Sequence, residues 1–185
     1  MKKILLSLIL ALGMMATSAV AEAPADDLEN TLYLDLKDGR VVIQMRPDLA
    51  PKHVTRIKEL VRKGFYDGLI FHRVIEGFMA QGGDPQGTGA GGSGEKIPAE
   101  FSAEPFVRGI VGMARSNELN SADSQFFIML DEYPSLNNNY TVWGKVTAGM
   151  EFVDGIRKGD PRDNGTVTNP DKIVKMQVAA DADKK

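Results

Sequence analysis

The segment FHRVIEGFMAQGGD, residues 71–84, sets one arginine among short apolar runs that are broken by glycine. Alternate side chains share one face of a strand, and Arg73 is close in sequence to Phe78, Met79 and Gln81. The pattern therefore predicts β structure with a guanidinium beside an apolar wall and an amide. The alternative at this point is an ordinary core strand with a surface arginine.

The chain on both sides of this segment also consists of short apolar runs between turns. Leu32, Leu34 and Leu36 alternate with polar residues, as in a half-buried strand, and Asp38-Gly39 is typical of a hairpin turn. Short, regularly spaced strands are typical of an all-β barrel or sandwich. The other predicted strands are Val41–Met45, Leu69–Ile75, Phe78–Gln81, Gly109–Ala114, Gln125–Leu130, Tyr140–Val146 and a closing strand over Ile173–Val178.

Two helices are predicted among these strands. Pro51 suits the first turn of one helix, Asp48 can cap it and Gly64 ends it. Its apolar stripe consists of Val54, Ile57, Leu60 and Val61. His53 lies off that stripe, so we expect it in solvent. The second helix is predicted over Met150–Arg157, with Phe152, Val153 and Ile156 facing inward.

The first residues of the chain have the pattern of a secretory signal peptide. Lys2 and Lys3 precede an uncharged apolar run from Ile4 to Met15, and Ala19-Val20-Ala21 fits the usual cleavage pattern. We expect cleavage after Ala21, with Ala23 or an uncleaved membrane anchor as the alternatives. Residues 1–21 are thus predicted as signal peptide, 22–30 as a short polar leader and 31–180 as one domain. The expected location is a bacterial periplasm.

Composition narrows the possible classes of protein. The 185 residues are 43% hydrophobic and 25% charged, as in a single globular domain, and the net charge of −3 argues against a nucleic-acid binder. The absence of cysteine excludes disulfides, thiol nucleophiles and lipidated cysteine anchors. With only two histidines, a catalytic zinc site or a Ser-His-Asp triad is not expected. The GxGxxG pattern at Gly87–Gly92 lacks the strand–turn–helix context of a nucleotide site, so no cofactor is expected.

A second segment adds to the apolar wall of the first. In SQFFIML, residues 124–130, Gln125 and Phe127 are two positions apart and share a face, and Met113-Ala114 can extend the same surface. Aromatic and methionine side chains with two glutamines and one arginine are typical of an apolar groove for a peptide.

These segments resemble the cyclophilin family of peptidyl-prolyl cis-trans isomerases. Residues 71–84 are similar to its signature F-H-R-x-I-x-G-F-M-x-Q-G-G-D, Ser124–Ile128 to its S-Q-F-F-I, Gly109–Ala114 to its G-x-x-x-M-A, and Trp143–Val146 to its F-G-K-V. The resemblance runs in order from about residue 30 to 178. It implies a closed eight-stranded antiparallel β-barrel capped by two helices.

The resemblance also implies roles for individual residues. Arg73 matches the catalytic arginine, and His72 is expected to be structural rather than a base. The implied substrate-binding residues are Phe78, Met79, Phe127 and Leu136 at the proline, Gln81 and Gln125 as a polar wall, Ala114 and the backbone of Arg115 along the substrate chain, and Tyr140. Arg115, Ser135 and Tyr140 stand where asparagine, tryptophan and histidine are usual in the family. Ser135 argues against strong cyclosporin binding, because a large ring and its N–H are missing.

The expected activity is isomerisation of X-Pro bonds in unfolded or partly folded exported polypeptides, assisting their folding. We expect a monomer that needs no metal, binds no nucleic acid and has no stable membrane association. Two alternatives remain at this point. One is a peptide-binding or chaperone module that retains the groove without turnover, and the other is a structural envelope protein without peptide binding.

Overall fold

The alternating leucines of the first strand are buried, as the pattern predicts. In the computed structural model, which describes residues 25–182, β1 (Thr31–Leu36) pairs with β2 (Gly39–Met45) through a turn at residues 37 and 38. Gly39 is needed here for space, since a Cβ at this position would lie 2.4 Å from the Phe152 ring. The Asp38-Gly39 pair thus marks a hairpin turn, as expected. Because glycine has no side chain, the Phe152 ring can pack against the backbone at this position.

In the described part of the chain, eight antiparallel strands form one sheet, as expected. The remaining strands are β3 (Arg73–Ile75), β4 (Met79–Gly82), β5 (Ile110–Met113), β6 (Phe126–Met129), β7 (Val142–Ala148) and β8 (Lys175–Val178). Their order across the sheet is β3-β4-β6-β5-β7-β2-β1-β8. β3 and β4 at one end thus lie next to β6 and β5, which brings the two segments singled out in the sequence together.

The sheet curls into a half-barrel, so the expectation of a closed barrel is wrong. The edge strands β3 and β8 form no ladder with each other. Single backbone hydrogen bonds and isolated bridges connect the two sides of the seam instead, including Ile70 with Lys172 and Arg73 with Thr166. The predicted strands at 69–75 and 173–178 shorten accordingly to β3 and β8, because the ladder that would extend them does not form.

Within residues 25–182, three α-helices accompany the sheet, namely α1 (Ala25–Glu29), α2 (Pro51–Arg62) and α3 (Met150–Asp154). The last two are the predicted helices, whereas α1 lies in the segment predicted as a leader. Short 3-10 turns cover Pro134–Leu136, Pro161–Asp163 and Ala179–Asp181. No helix within residues 25–182 is long and apolar enough to cross a membrane.

Two expectations about α2 are wrong. Asp48 does not cap the helix, because its carboxylate pairs with Arg46. His53 is fully buried instead of solvated. The carboxylate of Glu100 takes the place of Asp48 as the cap and is also the partner of the buried ring. It accepts hydrogen bonds from the backbone N–H groups of Lys52 and His53 and lies 2.6 Å from His53 Nδ1.

The buried apolar residues form two clusters on opposite faces of the sheet. The larger one fills the inside of the half-barrel and includes the leucines of β1 and the stripe of α2. The smaller one contains Met79, Phe106, Ile110, Phe127, Met129 and Val142, with Phe78, Ala114, Leu136 and Tyr140 partly buried against it. This smaller cluster forms the base of the candidate site.

Candidate active site

One row of residues crosses four adjacent strands and positions the site. Arg73 on β3 pairs with Gln81 on β4, Gln81 with Phe127 on β6, and Phe127 with Gly112 on β5. Directly opposed residues in a sheet point to the same face, so the arginine, the amide and the aromatic ring lie side by side. A Cβ on Gly112 would lie 2.5 Å from the Phe127 ring, so the glycine leaves the space that this ring occupies.

Above this row lies a cavity of about 110 Å³, called the apolar pocket below. Its walls include buried Met79 and Phe127, and Phe106 packs behind Phe127 with the two ring centroids 5.8 Å apart. The residues that line it are Arg73, Phe78, Met79, Gln81, Ala114, Arg115, Phe127, Leu136 and Tyr140. All but one of the predicted site residues thus line one cavity, and a small apolar ring fits its size and lining.

Gln125 is the predicted site residue that lies outside this lining. Its side chain continues the polar edge of the pocket, because Gln81 Nε2 donates to Gln125 Oε1 over 2.9 Å. Gln125 Nε2 in turn donates to the carbonyls of Gly89 and Gly91. The GxGxxG segment is therefore connected to the site by hydrogen bonds through the Gln125 and Gln81 amides, and it holds these two side chains in position.

The Arg73 guanidinium is held by neutral acceptors. Its Nη1 donates to Gln81 Oε1 over 3.1 Å, while Nε and Nη2 donate to the backbone oxygen and to Oδ1 of Asn164, each over 3.0 Å. The guanidinium carbon lies 5.9 Å from the centroid of the Phe78 ring. These contacts fix the plane of the guanidinium at the edge of the apolar pocket.

No carboxylate within residues 25–182 forms an ion pair with Arg73, so its charge remains uncompensated there. Burial lowers the pKa of Arg73 from its usual value, but arginine stays protonated at any physiological pH. A half-buried guanidinium without a partner anion can donate a strong hydrogen bond to an acceptor that enters the pocket.

His72, the residue before Arg73, does not line the apolar pocket. It is 7% exposed, and neither ring nitrogen has a hydrogen-bond partner among the residues described. Burial lowers its pKa, so the ring is neutral near pH 7. A neutral imidazole with no contact to the cavity fits the expected structural role.

Asn164 is the main contact that the sequence analysis did not single out. It adopts a left-handed conformation with φ of 49°, at the end of the 3-10 turn Pro161–Asp163. Asparagine tolerates this region because its short side chain can bond locally. The Asn164-Gly165 dipeptide is a turn signal in the sequence, but nothing in it indicates contact with a residue 91 positions away.

Two aromatic residues of the site were also missed. Phe106 supports Phe127 from behind, and Tyr133 packs on Phe78 with ring centroids 4.3 Å apart. Both come from irregular segments, where hydrophobic periodicity gives no signal.

The chain is similar to known proteins over most of its length. The family model described as "Cyclophilin type peptidyl-prolyl cis-trans isomerase/CLD" matches residues 31–178. A "Probable peptidyl-prolyl cis-trans isomerase" of Brucella suis biovar 1 is 56% identical over 179 residues, which cover 90% of this chain and 91% of the relative. "Peptidyl-prolyl cis-trans isomerase B" of Bacillus subtilis is 44% identical over 133 residues, 70% of this chain and 92% of that protein.

A solved structure shows the same fold. The cyclophilin-type isomerase of Cryptosporidium parvum, crystallised in the presence of the dipeptide Ala-Pro, superposes with a TM-score of 0.73 at 28% identity. The match covers 80% of this chain and 98% of that one.

Proposed function

The chain belongs to the cyclophilin-type peptidyl-prolyl cis-trans isomerases, and from that premise we propose that Arg73 is its catalytic residue and that exported polypeptides are its substrates. The observation that supports the first part is the uncompensated guanidinium at the edge of a small apolar pocket. The proline ring enters that pocket, and the X-Pro bond then lies beside Arg73.

The chemistry of the bond explains why a donor is needed there. An amide resists rotation because the nitrogen shares its lone pair with the carbonyl, and the barrier is about 18–20 kcal/mol. At the twisted transition state that resonance is lost, so the proline nitrogen becomes a better hydrogen-bond acceptor. A donor aimed at this nitrogen binds the transition state more tightly than either ground state, which is the condition for catalysis.

One hydrogen bond does not account for the whole effect. A rate gain of ~10⁵-fold needs about 7 kcal/mol, whereas a hydrogen bond to a charged group contributes roughly 1.5–3 kcal/mol. The remainder is assigned to removal of water from the bond by Phe78, Met79 and Phe127, and to fixing the flanking peptide. Arg73 acts throughout as a donor and transfers no proton.

The location follows from the first residues of the chain. The basic start, the apolar run and Ala19-Val20-Ala21 support export to a bacterial periplasm and cleavage after Ala21. These residues lie outside the part of the chain that the structure describes. Fractionation of cells that express the full chain, with mass spectrometry of the mature N-terminus, tests this. Retention of residues 1–21 in the cytoplasmic fraction would contradict it.

The catalytic role is tested by Arg73→Ala in a coupled assay on a proline peptide. Arg40→Ala is the matched control, because this substitution also removes one guanidinium. Arg40 lies on the β1–β2 hairpin, where it pairs with Asp35. We expect kcat/KM to fall about 10- to 100-fold for Arg73→Ala, as for loss of one charge-assisted bond, with unchanged circular dichroism. Equal turnover in the two variants would remove Arg73 from the mechanism.

A further inference from the structure

A second cavity of about 340 Å³ opens beside the apolar pocket and shares Gln81, Ala114 and Arg115 with it. The glycine-rich loop at residues 89–92 forms its far side, together with Lys96 and Asp123. We call this cavity the second pocket. Since its wall is shared with the apolar pocket, one bound peptide can reach both.

The shared wall contains a cation that is held rigidly but not neutralised. Arg115 donates from Nε and Nη2 to the backbone oxygen of Asn139, and from Nη1 to that of Ser116. Its guanidinium carbon lies 4.6 Å from the centroid of the Tyr140 ring and 5.8 Å from that of Phe101. Among the residues described, Arg115 has no carboxylate partner.

A second cation lies on the same rim. Lys96 is exposed and forms no ion pair within residues 25–182. Asp123 is the one carboxylate in the lining, and its oxygens accept from the backbone N–H groups of Ser93 and Gly94 and from the Ser93 hydroxyl. These bonds orient Asp123 toward the loop without cancelling its charge, so the two cations and one carboxylate leave the lining with an excess of positive charge that attracts an incoming negative group.

The net charge of the protein does not account for the positive charges in the second pocket. The whole chain has a net charge of −3, so its general field repels acidic peptides. Any preference for an acidic peptide must consequently come from local charges at the site.

The spacing of a bound peptide gives the position of the group that is recognised. In an extended peptide, side chains two residues apart share a face and lie about 7 Å apart. The backbone N–H and C=O of Arg115, between the two pockets, make no hydrogen bond to the described residues and are available to such a peptide.

We infer that the second pocket selects an acidic side chain two residues away from the proline, through Arg115 and Lys96. This inference rests on the proposed function, because it assumes that the proline occupies the apolar pocket. The enzyme then favours proline segments flanked by glutamate or aspartate over otherwise identical neutral or basic ones.

The test uses three peptides that differ only in glutamate, glutamine or lysine at that position, placed first before and then after the proline. We expect kcat/KM for the glutamate peptide to be about fivefold above that for glutamine in one of the two placements, as for a partly exposed ion pair. The lysine peptide ranks lowest. The ratio shrinks toward one as salt is raised to about 0.5 M, because the charges are screened.

Variants of Lys96 locate the effect. Lys96→Gln lowers the glutamate-to-glutamine ratio, and Lys96→Glu lowers it further. Lys37→Gln is the matched control, since it makes the same change of charge on the β1–β2 turn, at a surface that shares no residue with the second pocket. An equal drop of the ratio in Lys37→Gln would overturn the inference, because the effect would then be general.

The possible failures are distinguishable. If the glutamine peptide is not turned over at all, the proposed function fails. If that peptide is turned over but glutamate gives no advantage in either placement, the function stands and the assignment of the second pocket is wrong.

Discussion

Replacing Glu100 is expected to destabilise the protein far more than its position in a loop suggests. The carboxylate accepts from the backbone N–H groups of Lys52 and His53 over 3.1 and 3.0 Å and from His53 Nδ1 over 2.6 Å. It thereby caps α2 from 48 residues away and pairs with a fully buried histidine. One side chain satisfies three donors, so Glu100→Ala removes all three bonds at once.

The magnitude follows from those contacts. Loss of a helix cap costs about 0.5–2 kcal/mol, and a buried donor left without a partner costs about 1–3 kcal/mol. For Glu100→Ala we therefore expect the free energy of unfolding to fall by about 2–4 kcal/mol. Glu100→Gln keeps an oxygen acceptor and should lose less. The comparison is made by urea titration at pH 7.5, with Glu118→Ala in an exposed loop as control, which should change stability by less than about 0.5 kcal/mol. A loss below about 1 kcal/mol for Glu100→Ala would refute this account of the cap.

The same pair predicts how stability changes with pH. Burial lowers the pKa of His53, and this outweighs the opposing influence of Glu100, so the ring is neutral in the folded protein. Burial lowers the pKa of His72 as well. Below pH ~6.5 the histidines of the unfolded chain bind protons that those of the folded chain do not. The free energy of unfolding therefore falls with decreasing pH, by up to about 1.4 kcal/mol per pH unit for each histidine. In Glu100 the hydrogen bonds from His53 and the backbone overcome the effect of burial and lower the pKa, so its contribution is lost only at more acidic pH. His53→Asn should reduce the slope between pH 6.5 and 5.5; an unchanged slope would mean that His53 is not neutral.

Three further predictions concern the site. Asn164→Gly removes one acceptor of Arg73 while keeping the backbone conformation, so kcat should fall roughly two- to tenfold with KM little changed; a change in KM alone would contradict a positioning role. Gly112→Ala places a Cβ against the Phe127 ring, and we expect a raised KM for proline peptides and a loss of about 1–3 kcal/mol in stability, measured by kinetics and urea titration. Because Arg73 donates without titrating, kcat/KM should be flat from pH 6.5 to 8.5 once unfolding is excluded, and a bell-shaped profile centred near pH 7 would refute this.

Local patterns in the sequence were sufficient for the strands and for most of the site. The alternation at Leu32, Leu34 and Leu36 identifies a strand because it reports burial of one face, and the structure confirms it. Arg73 was placed at the groove because it is close in sequence to Phe78, and Gln125 because it shares a face with Phe127. Pairing of β4 with both β3 and β6 brings the two segments together.

The features that could not be predicted all depend on contacts between distant segments. His53 has the helical position of a solvated residue, and only the arrival of Glu100 makes its burial favourable. Asn164 lies in a loop whose path along the sheet edge is not encoded in any periodicity. Closure of the barrel requires two edge strands to meet in register, and this is a property of the whole sheet rather than of either strand.

The segment that contains Asn164 also protects the edge of the sheet on which Arg73 lies. Strand edges with unpaired N–H and C=O groups are templates for pairing with other chains. Here the Val74 N–H donates to Gly165 O, Gly159 N–H donates to Val74 O, and Val167 N–H donates to His72 O. These bonds leave fewer free backbone groups on this edge for the strand of another chain. On the proposed function the substrates are unfolded polypeptides, so loosening this loop should make the protein aggregate with them.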